Sequence, residues 1–177
     1  MKTIAIFCSA NNLNRKYIDP AKELVKSLIE KDCRIVWGGS GAGLMGEIAN
    51  TVKTYGGILT GVSLAVFEEY IKEDADEIII ANTLSERKAI ILVRSDVIIG
   101  LVGGTGTLDE ITELIELKKY KFHNKPIAIL NTENFYNGLI IQLNKMTTDG
   151  FASNIDDLIY LADSPQQLLS YIEKNIS

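Results

Sequence analysis

Short apolar β-type runs alternate along the whole chain with longer amphipathic segments, and this alternation limits the folds open to it more than any other feature. Strands joined through intervening helices pair in parallel, so such a chain builds a parallel sheet with helices on both faces. The pattern predicts strands near 3–8, 34–37, 58–62, 77–80, 97–101, 127–131 and 158–161. It predicts helices near 16–31, 43–55, 64–71, 84–95, 107–120, 134–148 and 165–175. The run Val97–Leu101 is apolar throughout, as a central strand covered on both faces must be. Asp163-Ser164-Pro165 reads as a helix start, with a capping side chain ahead of a proline suited to the first turn. No repeat, linker or low-complexity stretch interrupts the series, so residues 1–177 are expected to form one three-layer, Rossmann-like α/β domain with a doubly wound, mostly parallel sheet.

Charge and composition remove several function classes. A net charge of −5, with scattered basic residues, argues against a nucleic-acid partner, because phosphate backbones are held by clustered Lys and Arg. The densest basic group, Lys118, Lys119 and Lys121, reads as a solvated helix end. No apolar run approaches the roughly 20 residues needed to span a bilayer, and Ile4–Phe7 is too short for a signal peptide, so a cytoplasmic protein without a membrane partner is expected. Cys8 and Cys33 lack CxxC spacing and read as reduced, structural thiols. With His123 the only histidine, no His-based metal site is expected, and no GxSxG elbow suggests triad chemistry.

In an open parallel sheet, ligands bind beyond the carboxyl ends of the strands, where strand order reverses. Three such junctions carry distinctive chemistry. The first runs from Gly38 through Gly39, Ser40, Gly41 and Gly43 to Gly46, between a strand and a helix. Glycines there let backbone approach a ligand, and the following helix N-terminus favours an anion. Gly41, Gly43 and Gly46 satisfy GxGxxG, but the next strand ends Thr60-Gly61-Val62-Ser63, without the acidic residue that holds a dinucleotide ribose. A purely structural turn is the alternative reading. The second junction is Gly103-Gly104-Thr105-Gly106-Thr107-Leu108-Asp109-Glu110. It lacks the lysine of a P-loop, so a monophosphate fits it better than a triphosphate. Glu110, three residues after Thr107, is expected in the first helical turn, either closing a capping box or facing the anion pocket. A helix N-terminus would keep its carboxyl ionised. The third junction, Thr83-Leu84-Ser85-Glu86-Arg87-Lys88, puts two cations at a helix start, where they oppose the macrodipole unless an anion or Glu110 lies near. Arg87, with its planar fork, is the better anion ligand of the two.

Taken together, these junctions resemble the LOG (Lonely Guy) family, long labelled "possible lysine decarboxylase". Its PGGxGTxxE pattern stands here as Val102 to Glu110, its Met-x-x-Arg-Lys segment as Leu84 to Lys88, and its GLMG stretch as Gly43 to Gly46. Ile6-Phe7-Cys8-Ser9-Ala10-Asn11, Asn124-Lys125-Pro126-Ile127 and Asn134-Phe135-Tyr136 fit too, so the resemblance covers nearly the whole chain. The chain departs from the pattern at Val102, where the family has Pro, at Leu84, where it has Met, and at Ser9-Ala10-Asn11, where it has a Gly-Ser-Ser type run.

The resemblance implies a homodimeric, cofactor-free phosphoribohydrolase that cleaves cytokinin riboside 5′-monophosphates or AMP to the free base and ribose 5-phosphate. It implies Arg87 and Glu110 as the catalytic pair. Gly103, Gly104, Thr105, Gly106 and Thr107 would hold the 5′-phosphate, with Lys88, Gly39, Ser40, Gly41, Ser9 and Asn11 around the substrate. Glu110 would orient or deprotonate the water, and Arg87 would fix Glu110 and hold phosphate or ribose oxygens. Decarboxylation would need a pyridoxal cofactor on a Schiff-base lysine, and no lysine is placed convincingly for it. The alternative, from a different class, is a non-catalytic nucleotide or molybdenum-cofactor carrier, which is similar in fold and in its use of glycine loops.

Overall fold

Alternation with period two makes the first strand. Thr3–Phe7 (β1) sends Ile4 and Ile6 to one face and Ala5 and Phe7 to the other, and all four are buried. The structure, a computed structural model, describes residues 1–175. After β1 the chain runs through α1 (Arg15–Glu30), β2 (Arg34–Trp37), α2 (Gly43–Thr54), β3 (Leu59–Leu64), β4 (Glu77–Ala81), α3 (Leu84–Arg94) and β5 (Val97–Gly100). It continues through α4 (Thr105–Lys119), β6 (Ile127–Leu130), α5 (Asn137–Thr148), β7 (Tyr160–Ala162) and α6 (Pro165–Asn175). The strands form one seven-stranded sheet of order β4-β3-β2-β1-β5-β6-β7, with every neighbouring pair parallel. The sheet is thus entirely parallel, and strand order reverses between β1 and β5.

Each face of the sheet has its own core. Ile4, Ile6, Val97 and Ile99 pack with Leu24, Val25 and Leu28 of α1, Leu44 and Ile48 of α2, and Leu168 and Ile172 of α6. On the other face Ala5, Phe7 and Ile98 meet Ile91 of α3 and Ile111, Leu114 and Ile115 of α4, with Leu139 and Leu143 of α5 alongside. Full burial of a Leu, Ile or Phe side chain stabilises by about 1.5–3 kcal/mol, so these two layers carry the architecture. Local signals set the helix starts. The Asn14 side chain accepts from the Lys16 amide at 3.1 Å, and Thr83 Oγ1 accepts from the Glu86 amide at 3.1 Å.

Two expected helices differ. The segment expected as a helix near 64–71 is a pair of 3-10 turns over Ala65–Tyr70, kinked at Phe67 and burying no residue. The Gly41 amide donates to Tyr70 O at 2.7 Å and the Lys72 amide donates to Gly39 O at 2.9 Å. These bonds draw the chain back against the first glycine loop before an α-helix can extend. The helix expected from 107 begins at Thr105, because Gly104 is its N-cap in an extended conformation. No helix among the described residues is long and apolar enough to cross a membrane.

Candidate active site

A cleft of about 530 Å³ opens at the carboxyl ends of β1, β2, β3 and β5, across the point where strand order reverses. All three junctions contribute to it. Ser9 and Asn11 come from the turn after β1, Ser40 from the turn after β2, Arg87 and Lys88 from α3, and Gly104, Thr105, Gly106, Thr107 and Glu110 from the start of α4.

Arg87 and Glu110 meet in this cleft although both are nearly inaccessible, at 6% and 7% exposure. Arg87 Nη1 donates to Glu110 Oε1 at 2.5 Å, and Arg87 Nε donates to the Val62 carbonyl at 2.8 Å. Gly38 makes room for the guanidinium, since a Cβ there would stand 2.2 Å from Arg87 Nη2. The earlier start of α4 puts Glu110 in the second turn, and no acidic residue lies in the first. The capping box expected between Thr107 and Glu110 therefore does not form, and the helix N-terminus does not dominate the carboxyl. Burial raises its pKa above the ordinary value, while the neighbouring Arg87 charge opposes the shift. Burial, and not the helix start, is thus the largest influence on this carboxyl.

Lys88 is also buried, but its ammonium is taken. It donates to Asp109 Oδ2 at 2.8 Å and pairs with Glu113, both on α4. Burial alone would pull the ammonium down, yet the two carboxylates carry its pKa above the usual value. Arg87 and Lys88 thus tie α3 to α4 through separate acidic partners, which offsets the unfavourable cations near the start of α3.

The two glycine loops do different work. At the first, the Leu44 and Met45 amides of α2 donate to Asn11 O at 3.2 Å and Ser9 O at 3.1 Å, so two amides of this helix start are taken by the chain itself. Gly43, at φ +53°, lies so close to Ala10 O that a Cβ would stand 2.3 Å from it, and a Cβ at Gly46 would stand 2.1 Å from Gly41 O. The GxGxxG match therefore reflects chain packing on chain. Gly39 and Gly41 are set back from the cleft, as is Gly103, where a Cβ would stand 2.1 Å from Thr107 Oγ1.

The second loop is built otherwise. No side chain caps α4, and a Cβ at Gly104 or Gly106 would meet nothing within 4 Å. Packing of the chain itself does not demand these two glycines, whereas a ligand lying against the first amides of α4 would. Gly106→Ala is expected to leave thermal stability unchanged or slightly raised, because Ala is the better helix former by about 1 kcal/mol, and to weaken phosphate-ligand binding about tenfold. Gly103→Ala is expected to lower the melting temperature. Calorimetry on both variants checks the contrast, and equal affinity of Gly106→Ala and wild type would refute a phosphate seat at this helix start.

Residues that the sequence reading did not place around the substrate also line the cleft, chiefly Cys8, Met45, Ser63, Phe67, Tyr70, Leu84 and Asp109. Cys8 and Ser63 lie at strand ends, a positional signal that was available. Burial holds the Cys8 thiol well above its usual pKa, so it stays protonated. Phe67 and Tyr70 gave no comparable signal, because their segment was read as an ordinary helix.

An all-parallel sheet with a cleft at its switch point, holding a buried Arg–Glu pair beside an uncapped helix start, defines a Rossmann-like α/β protein. A family model described as "Possible lysine decarboxylase" matches residues 45–172. The chain is 33% identical over 180 residues to a cytokinin riboside 5′-monophosphate phosphoribohydrolase of Arabidopsis thaliana, covering 99% of this chain and 84% of the relative. It is 32% identical over 176 residues to a second Arabidopsis thaliana protein of the same name, covering 97% and 77%. The chain belongs to this LOG family. Among solved structures, the molybdenum cofactor binding protein from Rippkaea orientalis superposes with a TM-score of 0.78 at 19% identity, covering 99% of this chain and 98% of that one. At that identity the likeness is one of fold.

Proposed function

We propose that the chain hydrolyses the N-glycosidic bond of a nucleoside 5′-monophosphate, AMP or a cytokinin riboside monophosphate, giving free base and ribose 5-phosphate. The observation that carries this reading is the buried Arg87–Glu110 pair in the cleft, at 2.5 Å. Its family membership supports it, since relatives bear the name of that activity.

In the reaction a water oxygen bonds to C1′, the C1′–N bond breaks, and the water's proton balance is restored on the departing base. The sugar passes through a cation-like state. Glu110 accepts the proton of the attacking water and stabilises the developing positive charge, and the burial that raises its pKa makes it a stronger proton acceptor than an exposed carboxylate. Arg87 fixes the carboxylate and carries a guanidinium edge over Gly38 toward phosphate or ribose oxygens. Arg is unsuited to donate a proton, so it acts by charge and position. The 5′-phosphate lies against Gly104–Thr107 at the start of α4, where helix amides and the macrodipole favour an anion. Lys88, the lysine lining the cleft, is held by Asp109 and Glu113 with a raised pKa, the reverse of what a Schiff-base lysine needs. The active assembly proposed is a homodimer, which light scattering would read.

Incubation with AMP and with isopentenyladenosine monophosphate, following base and ribose 5-phosphate by chromatography, tests the reading. Release of both products in equal amounts is expected. Binding of intact nucleotide without release, at near-stoichiometric protein, would select a carrier instead. That second reading draws on the fold shared with molybdenum cofactor carriers and on the Ser9–Asn11 run that departs from the family pattern.

A further inference from the structure

Two large aromatic side chains stand at the cleft without serving the core. Phe67 and Tyr70 are 44% and 51% exposed, and the 3-10 segment Ala65–Tyr70 that carries them buries no residue. Exposed aromatics in such a segment contribute little to folding, yet both line the same cleft as Arg87 and Glu110. The segment is nevertheless held firmly at its end. The Gly41 amide donates to Tyr70 O at 2.7 Å, the Lys72 amide donates to Gly39 O at 2.9 Å, and Ser40 and Ile71 form an antiparallel bridge. Gly39 takes φ +81° to make this junction. The first glycine loop thus fixes the aromatic segment in place.

Sheet order sets the distance to the phosphate end. The aromatic segment follows β3 and the Gly104–Thr107 turn follows β5, with β2 and β1 between them. Three strand spacings of about 4.8 Å separate the two by roughly 14 Å, a gap that an extended nucleoside monophosphate bridges with phosphate at one end and base at the other. Arg87, bonded to Val62 of β3, and Glu110, on α4, meet in between, where the N-glycosidic bond would fall.

Resting on the hydrolase reading above, we propose that Phe67 and Tyr70 form the base-recognition wall, stacking on the planar base, with the half-exposed Leu84 and with Met45 offering apolar surface to a substituent on it. Aromatic faces hold bases through stacking that tolerates base identity. Recognition is then split between two ends of the cleft. Substrate engages both, whereas ribose 5-phosphate keeps only the phosphate end, so cleavage itself releases half of the binding contacts.

The test compares wild type with Phe67→Ala/Tyr70→Ala and with the aromatic-conserving Phe67→Trp/Tyr70→Phe. Measured are KM and kcat for AMP, the inhibition constant of ribose 5-phosphate, the melting temperature and the mass in solution. The alanine pair is expected to raise KM for AMP roughly ten- to a hundredfold while the ribose 5-phosphate constant stays within about twofold, and the conserving pair to stay near wild type. An unchanged KM, or a proportional loss for ribose 5-phosphate, would overturn the wall. So would a change of oligomeric state in the alanine pair, which would make these residues a contact between copies. Absence of turnover in wild type would defeat the hydrolase reading alone, because calorimetric affinities for AMP and ribose 5-phosphate then decide the same contrast.

Discussion

Glu110→Gln is expected to slow turnover by about two to four orders of magnitude, the usual contribution of a positioned general base. The substitution keeps the side chain's size and leaves an oxygen for Arg87 Nη1, so the pair's geometry and the phosphate seat survive and affinity for ribose 5-phosphate should change less than about twofold. What is lost is the proton acceptor and the negative charge facing the sugar. The pH profile provides a second readout. Burial lifts the Glu110 pKa above an ordinary glutamate, so wild-type kcat/KM should fall on the acid side as pH drops through that raised value, and the residual rate of the variant should lack this limb. Stability carries the matching sign. The folded chain keeps the Glu110 proton to higher pH than the unfolded chain does, so this group's stabilising contribution is present below the unfolded pKa. It is lost as pH rises through the folded value, and the variant removes the slope. Product release assayed across the acid range checks the rate profile and urea unfolding over the same range checks the slope, and an acid limb that persists in Glu110→Gln would assign the titration to another group.

Most of the fold was legible because it rests on two periodicities. The alternation in Ile4-Ala5-Ile6-Phe7 and the helical spacing of Leu24, Val25 and Leu28 each answer to burial on one side of a layer, and burial is what residue type encodes. The segment 64–71 was misread for the same reason. Its apolar residues Val66, Phe67 and Tyr70 are exposed, and Phe67 and Tyr70 line the cleft, so their spacing does not record a core. The start of α4 was misplaced by two residues because a cap was sought among hydroxyl side chains, and the structure uses the backbone of Gly104 without any side-chain cap.

The site was legible where charge is unusual and obscure where packing decides. Arg87 and Glu110 stood out as polar groups at strand ends, and their meeting follows from α3 and α4 lying side by side on one face of the sheet. The sense of the Glu110 shift was not legible, since it depends on burial that only the packed structure reveals. Nor could composition separate glycines that the chain itself requires, Gly38, Gly43, Gly46 and Gly103, from Gly104 and Gly106, which have open space where a side chain would stand. The resemblance put Lys88 around the substrate, and the partners that occupy its ammonium, Asp109 and Glu113, stand 21 and 25 residues further along the chain, on a helix it does not belong to.

Removing the cation of the pair is expected to damage stability and turnover together, in a way that pH separates. Arg87 uses two nitrogens of one planar fork, Nε for the Val62 carbonyl and Nη1 for Glu110. Lysine presents a single ammonium and reaches one of these, so Arg87→Lys should keep the charge balance but lose about a hundredfold in turnover. Arg87→Met leaves Glu110 buried without a counter-charge, and breaking a buried pair in this way costs about 3–5 kcal/mol when the remaining group stays charged. Glu110 can escape that cost by taking up a proton, so its pKa should climb further in the methionine variant. The stability deficit of Arg87→Met should accordingly be small in mild acid and grow as pH rises past neutrality, while Arg87→Lys shows much less of this slope. Adding Glu110→Gln to Arg87→Met should recover most of the lost stability at high pH and none of the turnover, because the two changes remove one interaction. Urea unfolding of the single and double variants on both sides of neutrality gives the result directly. A deficit in Arg87→Met that is independent of pH, or that survives in the double variant, would mean that Arg87 supports the fold through Val62 and not through its charge on Glu110.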